Sequence, residues 1–389
     1  MQPAERIAWL GNVEIGLLAT AYGASLPALV LALGHGYATL SLLFVVFAAG
    51  NTVSYFAANP LIDRLGAQRA LHLGLALFVV SALPLGMVHG FAWWVLATLF
   101  AGVAFSLADV GAARLVGGLH RPHPAQALNR LNIFFSVGAI SAPVIVGLSV
   151  RFLGGPQPVF LVIALLGAIG AVQLARMPAP VPEPSGHREP GDSFLRYFGR
   201  TRWLRVLTPL VFFYIAAEVG FGSWIAAYEH LRAGVSTALA ALYPAAYQVG
   251  MTVVRLFVGR SLGVWRFERM LVLGGLLATA ATLLAALLGS NPWYALAGAV
   301  LAGVGFGPAF PVALAIASLR GPGREGWTYG AVFSALALAV LIAPWVEGQV
   351  FGKVPLFALL ATPLAAALVV ACAVLLERAV AEPGQSQRA

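Results

Sequence analysis

Glu14, Asp109 and Glu218 are carboxylates set inside long apolar stretches, each stretch having the length and composition of a membrane-crossing helix. A charge near the middle of a bilayer costs roughly 3 kcal/mol or more, so such residues face protein or a water-filled cavity and mark ion or solute paths. Shielding from water favours the neutral form of a carboxylic acid. An acid of this kind can load a proton from one side and release it when its surroundings open to the other. The chemistry on offer is therefore proton or cation exchange. Arg114 and Arg255 are the cations placed to pair with Asp109 and Glu218, and a buried charge pair is the structural alternative, compatible with proton exchange.

The elements that must position these groups follow from composition. The chain has 389 residues, 60% of them hydrophobic and only 10% charged, with a mean hydropathy of +0.88. A soluble domain carries about 25% charged residues, so lipid has to serve as the solvent. Continuous apolar runs of about 20 residues imply spanning helices, and their lack of strict alternation excludes a β-barrel. Crossings are expected over 8–33, 39–62, 69–90, 92–117, 130–151, 157–177, 206–230, 237–260, 268–289, 292–318, 327–350 and 354–377.

The net charge of +9 is not a nucleic-acid footprint. Of the 23 Lys and Arg residues, all but Arg151, Arg232 and Lys353 fall in the loops or helix ends on one side of these crossings. By the positive-inside rule both termini are expected in the cytoplasm of a multi-pass inner-membrane protein. Cys372 is alone, so no internal disulfide forms. No cleavable leader is evident, because the first apolar run is long and others follow at once.

A Pro-rich polar stretch divides the crossings six and six, and its part from Ser193 onward has the composition of an amphipathic surface helix. The expected organisation is an N-terminal half (1–177), a cytoplasmic linker (178–205), a C-terminal half (206–377) and a tail (378–389). Short segments recur between the halves. Ala101–Phe105 (AGVAF) matches Ala302–Phe306 (AGVGF), Ser141–Gly147 (SAPVIVG) matches Ile342–Gly348 (IAPWVEG), and Glu14–Gly16 (EIG) matches Glu218–Gly220 (EVG). The last match gives Glu14 and Glu218 one repeat position, which leaves helix packing as the alternative role for one of them. Two six-crossing halves share one orientation, as in transporters built from parallel repeats.

The loop after the second crossing, NPLIDRLGAQRAL, resembles the loop signature of the major facilitator superfamily through Asp63, Arg64, Gly66 and Arg69, with Asn59 where the signature opens on Gly. Further stretches are similar to its fucose-permease-like sugar branch: ADVGAARLV, FFSVGAISAP, YIAAEVGFGSWIAAY, the VVRLFVGR ending and GVGFGPAFP. Gly23 stands where that permease has an acid four residues before a Pro, and Ala113 replaces the Asn of the fourth-crossing pattern. The resemblance implies an all-α membrane fold of twelve helices in two pseudo-symmetric halves, and alternating access around a midplane site. It also implies a gating role for Asp63, Arg64, Gly66 and Arg69, and a central cavity lined by crossings 1, 4, 7 and 10. Glu14, Asp109 and Glu218 lie on three of those four and would border one cavity.

A sugar site needs aromatic faces and hydrogen-bonding side chains. Tyr22, Asn132, Trp224, Tyr228, Tyr247, Gln248, Phe306 and Phe310 are the candidates, with ordinary core or interfacial packing as the alternative for each. The glycines of Gly303–Pro308 do not make a phosphate loop, since no strand precedes them and no Lys-Ser/Thr follows. Close helix packing with Pro308 and Pro311 as bends is the expected role. His120 and His123 have no acid or thiol at ligand spacing, so neither a metal nor a cofactor is expected. No catalytic motif appears. The expected function is transport of a small polar solute such as a sugar, driven by an ion gradient, with H+ as the coupling ion, by a monomer. Export of drugs or amphipathic molecules, and a non-transporting sensor, are the rival readings.

Overall fold

The computed structural model describes residues 3–87, 90–120, 124–178, 194–261, 266–321 and 324–381. Most of the Pro-rich linker (179–193), His123 and the end of the tail (382–389) lie outside these. The helices are α1 (Pro3–Leu33), α2 (Tyr37–Leu40), α3 (Leu42–Leu65), α4 (Ala67–Met87), α5 (Phe91–Leu119), α6 (Pro124–Leu153), α7 (Pro158–Ala175) and α8 (Phe194–Arg200). They continue with α9 (Arg202–Arg232), α10 (Thr237–Ala240), α11 (Leu242–Ser261), α12 (Phe267–Leu288), α13 (Pro292–Phe306), α14 (Ala309–Arg320), α15 (Glu325–Phe351) and α16 (Pro355–Ala381). In lipid each backbone amide must be satisfied within its own segment, which leaves these apolar runs no alternative to helix.

Among the described residues twelve segments are long and apolar enough to cross a membrane. The pairs α2–α3, α10–α11 and α13–α14 each make one crossing, and α8 is a short helix in the linker. An even number of crossings puts Pro3 and Ala381 at the same end of the bundle, here the terminal end. The opposite end is the far end.

The halves repeat in detail. The first crossing of each is a 31-residue helix, α1 or α9. Each is followed by a glycine at positive φ, Gly34 at 68° and Gly234 at 65°, a conformation that glycine adopts without the usual steric cost. A four-residue helix comes next, at 37–40 and 237–240. These landmarks place α1 and α9 about 200 residues apart. The expected pairing of Glu14 with Glu218 is therefore one helical turn out of register. Glu14 corresponds to Tyr214, and Glu218 to Leu18. Two matching residues separated by one apolar position are too short a signal to set register in such a chain.

Small residues let the helices approach closely, as packing in lipid requires. A Cβ on Gly50 would meet Leu99 O, and one on Gly250 would meet Val300 O. Gly102 sits against Phe47 O and Gly303 against Tyr247 O. The Gly303–Pro308 segment is thus a packing surface that ends in the break between α13 and α14.

The named contacts across the two halves lie in the far part of the bundle. Gly23 of α1 abuts Gly222 O and Ser223 Cα of α9, and Gly147 of α6 abuts Ala238 O of α10. Gln349 Nε2 of α15 donates to Ala38 O at 3.0 Å and to Ser41 Oγ at 3.1 Å. Tyr37 and Phe44 from one half set their rings against Trp224 and Phe351 of the other, at centroid distances of 5.0 to 6.2 Å. At the terminal end three polar contacts among the described residues stay within one half: the hydrogen bond of His120 with Glu5 at 2.9 Å, and the ion pairs of Arg320 with Glu268 at 3.1 Å and Arg266 with Glu377 at 3.5 Å. The far end is closed by cross-half contacts, whereas these three terminal-end contacts lie inside one half.

Candidate functional site

Between the halves, on the terminal side of the Gly23–Gly222 contact, lies a cavity of about 150 Å³. Ala19, Thr20 and Gly23 of α1 and Phe135 of α6 line it from one half. Glu218, Gly222 and Ser223 of α9 and Tyr247, Gln248 and Arg255 of α11 line it from the other. Polar chemistry is concentrated on the second half. Thr20, the polar side chain of the first, turns its hydroxyl to Ala139 O at 3.0 Å.

Arg255 Nη2 stands 3.6 Å from Glu218 Oε1, with both side chains partly open to the cavity. Arg255 Nε also donates to Gly307 O at 3.2 Å, which anchors the guanidinium at the break between α13 and α14. The Tyr214 phenol lies within electrostatic reach of this pair, and Tyr247 OH donates to the backbone oxygen of Glu218 at 3.4 Å. Behind Tyr247, the buried Phe306 contacts its ring and that of Tyr214. The result is a fixed cation and anion side by side, with the Gln248 amide one turn away from Met251 on the same wall.

The other two acids are elsewhere, which corrects the expectation of one shared cavity. Glu14 is fully buried, and among the described residues neither carboxylate oxygen has a hydrogen-bond partner. It follows Gly11, which packs on Leu71 and Leu75 of α4, and points into the first half. Gly23, on the cavity face, is about 180° round the helix from it. Asp109 of α5 is half-buried and accepts a hydrogen bond from Tyr55 of α3 at 2.5 Å. Arg114, expected as its partner, is exposed, because five residues of α-helix turn it about 140° away.

Of the expected solute contacts, Tyr247 and Gln248 line this cavity and the others do not. Tyr22 is committed to Thr98 Oγ1 at 3.0 Å inside the first half, and Tyr228 donates to Ala286 O at 2.6 Å inside the second. Trp224 belongs to the far-end aromatic cluster, where it stacks on Phe351 at 4.7 Å. Asn132 is exposed, and Phe310 packs its ring on Phe333. The expected loop shrinks to Gly66, which ends α3 at a φ of 88°; Asp63 and Arg64 are exposed in the last turn of α3 and Arg69 in the first turn of α4. No cluster able to hold a metal occurs among the described residues.

Sequence reasoning missed Phe135, Tyr55, Tyr214 and Glu347. Phe135 and the two tyrosines carry no mark that separates them from other aromatics of apolar helices. Glu347 carried one: it is the acid inside IAPWVEG, where the first half has Val146.

The comparisons agree with this architecture. The family model described as Major Facilitator Superfamily matches residues 8–344. No curated protein matches the chain. Among solved structures, a mutant of the nucleoside transporter NupG superposes with a TM-score of 0.79 at 13% identity, covering 97% of this chain and 100% of that one. The transporter FucP in its outward conformation gives 0.63 at 16% identity, covering 96% and 98%. At such identities the likeness is one of fold.

Proposed function

The chain belongs to the Major Facilitator Superfamily, and on that premise we propose that it moves a small hydroxyl-bearing solute across the membrane by alternating access, coupled to protons. It is a transporter and not an enzyme. The observation that carries the reading is the Glu218–Arg255 pair in the wall of the cavity between the halves. A proton on Glu218 would cancel the charge that faces Arg255 and free the guanidinium to donate to a solute. Gln248 adds both a donor and an acceptor, and Phe135 on the opposite wall offers a ring face. The cavity volume suits a sugar-sized solute better than a large amphipathic one. NupG and FucP are transporters of similar fold, so sugars and nucleosides form the panel to try first.

The basic loops favour cytoplasmic termini. On that orientation the structure is closed toward the outside, and its cavity is on the cytoplasmic side of the closure. Asp63, Arg64, Gly66 and Arg69 then stand at the cytoplasmic end, as a gating loop would.

The test is uptake into proteoliposomes under an imposed pH gradient, with the wild type and Glu218→Gln compared. Gradient-driven accumulation of a panel member that Glu218→Gln abolishes is the expected result. Accumulation unaffected by the substitution would remove Glu218 from the mechanism. Ligand-induced thermal stabilisation without flux would favour the sensor reading, and selective stabilisation by lipophilic cations the exporter.

A further inference from the structure

The far-end closure contains an acid that neither the cavity nor its ion pair uses. Glu347 of α15 is 7% exposed; among the described residues its carboxylate is found in no hydrogen bond or ion pair, and its oxygens keep a small opening to solvent, unlike those of Glu14 and Glu229. Its two oxygens rest on the bare backbone of Gly220 in α9, where a Cβ would collide with both. The next residue, Gly348, is itself a closure contact, packed against the Ser41 side chain of the other half and the Trp224 ring. One residue further, Gln349 donates to Ala38 O and Ser41 Oγ. Glu347 is thus wedged between α9 and α15 at the point where α15 grips α2 and α3.

The ionisable groups on neighbouring elements leave it alone. On α2, Tyr37 turns its ring to Phe351 and Trp224. On α3, Tyr55 is bound to Asp109, and Asp63 and Arg64 sit at the terminal end. On α9, Glu218 faces Arg255 in the cavity, while Glu229 lies near the far end of the helix, against Gly289. Lys353 lies beyond the end of α15, and Glu377 and Arg378 of α16 are at the terminal end. A carboxylate held almost out of water in such packing, at 7% exposure, lacks the donors or counter-charge that burial demands. A neutral carboxylic acid does not carry that cost. Separating α15 from α2 and α3 would give the same group water.

We propose that Glu347 is a proton-operated switch of the far end, taking a proton from the far-side aqueous phase as that end closes and returning it to the same phase as the end opens. The role in transport rests on the reading given under the proposed function; the protonation-linked closure does not. A ligand that binds one of two conformations better must shift their balance, and here the ligand is H+. The sign is fixed by the geometry: low pH on the far side favours the closed end, and high pH favours opening.

The test is the distance between spin labels at Thr39→Cys and Leu239→Cys, exposed positions on α2 and α10 of opposite halves, in a Cys372→Ser background, measured across a pH series. The expected result is a wild-type distance distribution that moves from closed to open as pH rises, and a Glu347→Gln distribution that stays closed throughout. Glu347→Asp keeps the acid, should keep the pH response, and serves if the glutamine variant folds poorly. In proteoliposomes Glu347→Gln should lose proton-driven accumulation. A wild-type far end that ignores pH, or a Glu347→Gln protein that follows pH as the wild type does, overturns the proposal. Because the distance measurement needs no solute, it decides the point even if no panel member is transported.

Discussion

Tyr55 and Arg255 occupy equivalent places in the two halves, 200 residues apart, and each faces a carboxylate on another helix. Tyr55 donates to Asp109 of α5 at 2.5 Å, and Arg255 stands 3.6 Å from Glu218 of α9. The close approaches of Gly50 to Leu99 O and Gly250 to Val300 O, one turn or so away, fix the correspondence. One half therefore answers an acid with a neutral donor, and the other with a cation. Protonating Asp109 leaves no stranded charge behind, whereas protonating Glu218 leaves Arg255 without its anion. On the function proposed above, that asymmetry would put the solute on the Glu218 side and leave the Asp109 side for proton exchange alone.

The Tyr55–Asp109 bond should be measurable as a coupling. A hydrogen bond contributes about 0.5–1.5 kcal/mol to a neutral acceptor and about 1.5–3 kcal/mol to a charged one, so Tyr55→Phe is expected to destabilise the protein by about 0.5–3 kcal/mol, at the upper end where Asp109 is ionised. Once Asp109 is replaced by Asn, most of the effect should vanish. A thermal-unfolding double-mutant cycle in detergent reads the difference; additive single-mutant effects would mean that the contact contributes nothing.

Arg255 and Glu218 should depend on each other in the same sense. Breaking a buried ion pair by removing one partner costs about 3–5 kcal/mol. This pair is partly open to the cavity, so solvent screening lowers the expectation to about 1–2 kcal/mol for Arg255→Met. Adding Glu218→Gln should recover part of that stability while leaving transport abolished. Recovery of transport together with stability would show that the pair is structural.

The crossings were legible because twelve apolar runs separated by polar turns admit few other folds, and the division into halves because a Pro-rich linker interrupts them once. Glu218 and its cavity neighbours Tyr247 and Gln248 were legible as polar groups in apolar surroundings. What the sequence did not carry is rotation about each helix axis and the identity of neighbours. Glu14 looked equivalent to Glu218, but it lies one turn out of register and about half a turn round α1 from Gly23 on the cavity wall. Arg114 looked near Asp109 along the chain, but helical geometry sends it outward and brings Tyr55 in from α3. Glu347 was in view inside a repeat that was read for its similarity, and the informative feature was its difference from Val146.

Gly23 offers a way to hold the far end open. A side chain there would meet Gly222 O at 2.8 Å and Ser223 Cα at 2.9 Å, both backbone of the opposite half. Backbone cannot yield as a flexible side chain does, so relief requires the halves to separate. Gly23→Leu is expected to fold, since the clash lies between the halves, and to populate a conformation open at the far end. The spin-label pair at Thr39→Cys and Leu239→Cys should report a longer distance, and net transport should stop. An unchanged distance would show that α1 can shift within its own half instead.

Trp224 tests whether the far-end closure is held by shape. Its ring stacks on Phe351 at 4.7 Å and meets Tyr37 and Phe44 from the other half, while Nε1 donates to Pro344 O at 3.0 Å. Removing the whole ring should cost about 3–5 kcal/mol, part of it within the second half and part at the closure. Trp224→Phe keeps an aromatic face and loses the hydrogen bond, a loss of about 1 kcal/mol. If ring packing seals the end, Trp224→Ala should let a membrane-impermeant thiol reagent reach a cysteine at Gly23 from the far side, and Trp224→Phe should not. Because Gly23→Cys itself strains the closure, the comparison is made between the two tryptophan variants in that one background. Equal labelling of both would shift the seal to the polar contacts of Gln349 with Ala38 and Ser41, and Gln349→Leu would then be the variant that opens it.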